Sequence, residues 1–200
     1  MHFEARELKL SSEPVKTAAL VEGAAYFSVS YADQDRLIPI LQPYIFEGKD
    51  PDAPPHLFDY EQALNELMVC SMRRRGIALD AHPLQFEARE VKRFPEPVKG
   101  EDLQEGNVYF SVFFVDEEFL VPGLEPYVFV GRDLDAEEAG LYFQDMDSYG
   151  RGIRYGVDTG GRRATLVIDS DDNLNHFDYG EALEQLLACS LRRRKRAGRL

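Results

Sequence analysis

Most of this chain occurs twice. Slid by 83 positions, Phe3-Glu4-Ala5-Arg6-Glu7 falls on Phe86-Glu87-Ala88-Arg89-Glu90, Glu13-Pro14-Val15-Lys16 on Glu96-Pro97-Val98-Lys99, and Tyr26-Phe27-Ser28-Val29 on Tyr109-Phe110-Ser111-Val112. From the pair His2/Gln85 to the pair Asp50/Asp133, 26 of 49 pairs are identical. The register then moves to 119, where Phe58-Asp59-Tyr60 meets Phe177-Asp178-Tyr179 and Arg73-Arg74-Arg75 meets Arg192-Arg193-Arg194. The second copy therefore holds 119 − 83 = 36 more residues than the first, between Asp133 and Phe177. Such self-similarity must be read before any local pattern, because one supersecondary unit then recurs and each copy has to find a partner for its apolar face.

The two copies support each other's local structure. Phe3 to Leu8 reads as a strand. So does Tyr26 to Tyr31, where Phe27, Val29 and Tyr31 alternate with Tyr26, Ser28 and Ser30. Leu41 to Phe46 reads as a third strand, confined by Pro39 and Pro43 to an edge or an irregular start. Residues 59–75 and 178–194 read as helices. Asp59 with Gln62 and Asp178 with Glu181 resemble capping boxes, and Leu64, Leu67, Met68, Ser71 and Met72 share one face. Three arginines close each helix at the negative end of its dipole, with Gly76 and Gly198 as stops. In the insert, 134–172, the pattern predicts strands over Gly140 to Met146, Gly152 to Val157 and Arg163 to Asp169. The last two would be joined by the turn Asp158-Thr159-Gly160-Gly161.

The expectation is an α+β fold made by tandem duplication of a small unit of three antiparallel strands and a C-terminal helix. The units span 1–82 and 83–200, and the second is extended by about three strands. The strand order has the character of an SH3-like half-barrel, and three strands cannot close a barrel alone, so the first unit is expected to bury its apolar face against the second.

The chain carries 23 basic and 36 acidic residues, a net charge of −13. Residues 1–100 hold 12 basic and 16 acidic groups, and residues 101–200 hold 11 and 20, so the second half is the more acidic. Such a body repels nucleic acid unless its cations cluster, and it favours a basic partner. No apolar run approaches a membrane span, the first ten residues are charged without an apolar signal region, and two cysteines make no disulfide framework. A cytoplasmic protein is expected, with no cofactor.

No phosphate-binding loop, nucleophile elbow or H-E-x-x-H helix is present. His2, His56, His82 and His176 are scattered, and none has a histidine at its matching position. Glu7-Leu8-Lys9 and Glu90-Val91-Lys92 have the E-x-K form of restriction-type nucleases, but that site also needs an upstream acidic residue on a neighbouring strand and the first copy has only Glu4 before it, so they are read as solvent-facing strand charges. Asp169 to Gly180 fails as an EF-hand loop, with Leu174 where glycine belongs and Gly180 where glutamate belongs. No metal site is expected. Cys70 and Cys189 fall near helix C-termini, the wrong end for an activated thiol.

Two sets of residues stand out. Arg73, Arg74, Arg75, Arg192, Arg193 and Arg194 are expected to latch the halves together by pairing with carboxylates of the opposite unit. Asp145, Asp147, Tyr149, Arg151, Arg154 and Tyr155 lie in a segment that the first copy lacks, and their types suit adaptable contacts with a protein. The reading that follows is a non-catalytic protein-interaction protein of adaptor, inhibitor or toxin-neutralising type, binding a basic partner. The alternatives are a metal-dependent hydrolase or nuclease using clustered carboxylates, and a nucleic-acid binder using the arginine clusters.

Overall fold

A computed structural model describes residues 1–48, 54–80, 83–157 and 164–198. It is a mixed α+β structure of short antiparallel sheets and helices. The strands are β1 (His2–Phe3), β2 (Arg6–Leu8), β3 (Ala25–Tyr31), β4 (Pro39–Ile45), β5 (Leu84–Phe86), β6 (Arg89–Glu90), β7 (Val108–Phe114), β8 (Pro122–Arg132), β9 (Leu141–Asp145) and β10 (Leu166–Asp169). The helices are α1 (Tyr60–Arg74), α2 (Met146–Gly150) and α3 (Tyr179–Arg196).

Two hairpins, β3–β4 and β7–β8, form the centre of one open six-stranded sheet. They meet through the single antiparallel pair Leu41↔Leu124, residues 83 positions apart. The prolines explain why the junction is so narrow. β4 carries a full ladder to β3 on one side, and Pro39 and Pro43 withhold donors from a second continuous ladder on the other. One edge of β8 takes β7, and the other takes β4 at Leu124 and β9 at Tyr127 to Arg132, with an irregularity between Phe129 and Gly131. At the pair Phe113↔Gly123 a Cβ on the glycine would fall 2.1 Å from the Phe113 ring, so only glycine fits opposite that aromatic. The matching pair in the first half is Ser30↔Ile40.

The N-terminal segment pairs with the segment that opens the second half. Phe3 pairs with Arg89 and Arg6 with Phe86, so each phenylalanine of the repeated F-E-A-R-E motif faces the other's arginine. Just before each helix the chain returns to the hairpin, by the bridges Phe27↔Phe58 and Phe110↔Phe177.

α1 starts at a complete capping box: Asp59 accepts from the Gln62 amide and the Gln62 side chain accepts from the Asp59 amide. At α3 the Asp178 carboxylate accepts from the Glu181 amide, while the Glu181 side chain takes Lys92 instead (2.5 Å). The helices dock on each other by a reciprocal exchange. Tyr60 Oη donates to the Leu186 carbonyl and Tyr179 Oη to the Leu67 carbonyl, both at 2.7 Å. One apolar cluster runs through both halves and includes Phe3, Phe27, Leu41, Leu67, Phe86, Phe110, Leu124 and Leu186. A second, smaller cluster of Leu103, Tyr109, Phe129, Leu141, Phe143 and Leu174 forms where the insert covers β8.

The insert corrects one expectation. β9 and β10 pair directly with each other, and Gly152 to Val157 is a turn rather than a middle strand. A short helix, α2, precedes that turn, so the described residues of the insert hold two strands instead of three. The physical reason is Gln144. Its buried amide donates to Ser148 Oγ and to the Ile153 carbonyl, both at 2.9 Å, which folds the chain back on itself before a ladder can form. The predicted turn at Asp158 to Gly161 lies outside the described residues. No described helix is long and apolar enough to cross a membrane.

Candidate functional site

The insert places its polar residues on and just beyond α2. Asp145 ends β9 and caps α2, accepting from the Ser148 amide at 2.8 Å, which satisfies a donor that the helix start would otherwise leave open. Asp147 and Arg151 pair with each other across one turn at 2.9 Å and face solvent. Arg154 donates to the Tyr149 carbonyl at 2.6 Å and lies 3.6 Å over the Tyr149 ring. Tyr155 rests on Tyr142, ring centroids 5.5 Å apart, and donates to Asp135 at 3.3 Å. Desolvation and the Asp135 charge both raise the Tyr155 phenol pKa, which keeps it a donor. Tyr149, Arg154 and Tyr155 thus converge on one recess of about 470 Å³, whose wall includes Glu105 and Leu134. Asp145, Asp147 and Arg151 do not line it. The recess offers aromatic faces and an arginine beside carboxylates, an equipment for recognition.

The six arginines divide by role. Arg73 and Arg74 donate to the carbonyls of Arg36 and Leu37, and Arg192 and Arg193 donate to those of Phe119 and Leu120, so each pair fastens its own half's hairpin turn to its own helix. Two of them also cross to the other half. Arg74 lies 5.0 Å over the Tyr179 ring, and Arg193 lies 4.9 Å over the Tyr60 ring. Among the described residues, only Arg194 of the six has a carboxylate of the opposite half within ion-pair distance: it meets Glu61 at 2.8 Å. Arg75 ends α1.

Glu61 gathers three partners. Arg6 reaches it at 2.5 Å, Arg194 at 2.8 Å and Ser190 Oγ at 2.6 Å. Burial works against its charge, and the hydrogen bonds from Arg194, Ser190 and Arg6 outweigh that and hold its carboxyl at about 2. Gly180 stands at the matching position, so the other half has no such node. A salt titration separates the two kinds of contact. Arg194→Gln should lower the melting temperature by the equivalent of about 1 kcal/mol at low salt and by less at high salt, because a partly exposed pair is screened. Arg74→Gln or Arg193→Gln should cost about 0.5–1 kcal/mol at either salt, because their partners are carbonyls and aromatic rings that carry no full charge for salt to screen. Equal salt responses from all three variants would contradict this division.

The remaining candidates separate in space. Glu7 is exposed on β2, while Glu90 is taken by His2 at 3.1 Å and by the Met1 ammonium at 3.4 Å. Asp171 pairs with Arg132 at 3.8 Å. Among the described residues no three His, Cys, Asp or Glu side chains converge to hold a metal ion. Cys70 and Cys189 are free and buried, and burial pushes both thiols up, Cys189 to about 11. His56 and His2 are exposed, and His82 lies outside the described residues. His176 is buried, stacked on Phe143 at 3.8 Å with Tyr127 edge-on at 5.4 Å. Its Nδ1 lies 2.9 Å from Asp169 without forming an aligned hydrogen bond, and burial pushes the imidazole down to about 4.

Sequence reasoning missed a groove of about 950 Å³ beside α3, flanked by Phe94 and Phe119. The available signal was the comparison of the two copies. Ser11 and Arg36 stand where the second copy has Phe94 and Phe119, an exchange of polar for large apolar residues at places that no strand or helix pattern requires.

Comparison of the chain with protein-family models, with curated proteins and with solved structures returns no match.

Proposed function

We propose that this chain is a non-catalytic cytoplasmic protein-interaction protein, an adaptor, inhibitor or toxin-neutralising protein, that binds a basic partner through the insert of its second half. In this reading a small α+β unit with SH3-like half-barrel character was duplicated, residues 1–82 and 83–200 descend from the two copies, and the second acquired the binding surface. The observation that carries the proposal is the recess where Tyr149, Arg154 and Tyr155, residues of a segment that the first copy lacks, meet Glu105, Gly106 and Phe129 of the repeated part. Its surroundings favour a cationic partner. Residues 134–172 carry nine aspartates and glutamates against four arginines.

The test is affinity capture from a lysate of the source organism by the full chain and by the double variant Tyr149→Ala, Tyr155→Ala. A basic protein should be recovered by the wild type, released by salt, and recovered at least tenfold less by the variant, as expected when two central aromatic contacts are removed. Equal recovery by both forms would remove the insert from the interaction.

A further inference from the structure

The groove beside α3 has a chemistry opposite to that of the rest of the surface. Phe114, Phe177, Ala188 and Leu191 contribute its apolar lining. Phe94, 77% exposed, and Phe119, 56% exposed, stand at its lips. Among the described residues the charged side chains that line it are Arg93, Arg192 and Lys195, with no aspartate or glutamate, in a chain of net charge −13. Glu90 is near His2 and Met1, two of the lining residues, and it is already paired with both.

The matching surface of the first half explains why the groove is open. There the Ser12 amide donates to Glu66 at 2.6 Å and the Ser12 hydroxyl to the Gln62 carbonyl at 3.1 Å, and Asn65 donates to Ser12 Oγ at 3.2 Å. These bonds draw the segment after β2 onto α1. In the second half Pro95 stands in place of Ser12 and has no N–H to donate, and Gln185 stands in place of Glu66. The Ser12 bonds have no counterpart there: the segment is tied to α3 at Lys92, whose amide donates to Glu184 at 3.1 Å and whose ammonium meets Glu181, and beyond that tie a phenylalanine stands in place of Ser11.

The other lip is held by the turn between β7 and β8. The Asp116 carboxylate accepts from the amides of Leu120 and Val121, as Asp33 does from Leu37 and Ile38, and this brings residue 119 into the left-handed region (φ 56°), as it does Arg36 (φ 57°). A phenylalanine tolerates that region poorly, and here its ring packs edge-on against Phe114 at 5.3 Å while more than half of it stays in water. The turn itself does not ask for an aromatic at position 119, because the first half adopts it with Arg36.

We propose that this groove docks an acidic segment of a partner protein, with large apolar side chains laid between Phe94 and Phe119 and carboxylates facing Arg93, Arg192 and Lys195. Charge complementarity chooses the acidic segment, and the exposed lips choose a polypeptide over a small amphiphile. Covering Phe94 requires an occupant that closes over the groove from outside. The surface shares no lining residue with the recess of the insert, so either reading can fail without the other.

The test is selection of a random dodecapeptide library displayed on phage against the immobilised full chain. The counter-target is the double variant Phe94→Ser, Phe119→Arg. It carries the residues that the first half holds at the same positions, and its fold is checked by its melting curve. Enriched peptides should combine Asp or Glu with Leu, Ile or Phe. Made synthetically, they should bind the wild type at least tenfold more tightly than the variant and more weakly at high salt, in fluorescence anisotropy. Three results would overturn the proposal: no enrichment of peptides over the counter-target, enrichment of basic peptides, or saturable binding of sodium dodecanoate with no acidic peptide selected.

Discussion

Leu124→Ala is expected to cost about 3–4 kcal/mol and to lower the stability of both halves in one transition. Leu124 is fully buried on β8, directly across from the equally buried Leu41 on β4, and both belong to the apolar cluster that runs through the two halves. Truncating a buried leucine removes its transfer free energy and leaves a cavity that a close-packed centre fills only in part, which places the cost at about 3–5 kcal/mol in well-packed cores. That is a large share of the roughly 5–15 kcal/mol by which a domain is stable. Cooperativity is the sharper part of the prediction. Beyond the pair Leu41↔Leu124, the halves share the short ladders β1–β6 and β2–β5 and several side-chain contacts: Tyr60 on the Leu186 carbonyl, Tyr179 on the Leu67 carbonyl, and Phe3 and Phe86 meeting edge to face at 6.1 Å. Urea unfolding followed by far-ultraviolet circular dichroism and by tyrosine fluorescence should show one coincident transition, moved to lower urea with little change in slope. Leu41→Ala should behave alike. Two separate transitions would mean that the halves stand independently.

The second large effect is an acid sensitivity located at His176. The folded environment depresses its pKa to about 4, from 6.5, because burial disfavours the imidazolium. For a group whose folded pKa lies below its unfolded one, the unfolded chain takes up the proton first on acidification. The stability is therefore fully present above about pH 6.5 and is lost as pH falls towards 4. At about 1.36 kcal/mol per pH unit the loss approaches 3 kcal/mol by pH 4. Asp169, 2.9 Å away, has its pKa raised by burial and opposes this in part, since its protonated form is favoured in the folded state. His176→Leu isolates the histidine contribution. Leucine is the residue at the matching position, Leu57, where it is buried, so the substitution is chemically suited to the site. The variant should lie within about 1 kcal/mol of the wild type at pH 7, as for other volume-conserving core exchanges. It should also lose about 3 kcal/mol less between pH 7 and 4, measured by urea unfolding at each pH. Parallel pH profiles for the two forms would show that the buried imidazole carries none of the acid response.

The local elements were legible in the sequence because local rules govern them. The capping signal at Asp59 and the apolar face of Leu64, Leu67 and Met68 place α1, and the same pattern places α3. The alternation of Phe27 and Val29 with smaller residues marks β3. Where a distant hydrogen bond competes with a local pattern, the pattern misleads. Ile153, Tyr155 and Val157 alternate as in a strand, yet the Gln144 amide captures the Ile153 carbonyl and bends the segment into a turn. The latch arginines show the same limit. Their position at the helix ends follows from the dipole, but whether each meets a carbonyl, a ring or a carboxylate depends on what the opposite half brings within reach.

The groove marks the boundary most plainly. That Pro95 cannot donate, that Phe94 replaces a serine and that Phe119 replaces an arginine can all be read from the residues alone. That these changes surround one cavity beside α3 cannot, because the three positions are separated along the chain and are gathered only when β7, β8 and α3 pack. The sequence by itself determined the periodicities and the caps, which depend on neighbours within a few residues, and it displays the 26 identities in 49 pairs that relate the two halves. Tertiary structure decided how the halves exchange strands and hydroxyls and where unpartnered apolar and charged groups collect, because those outcomes depend on which distant surfaces exclude water together.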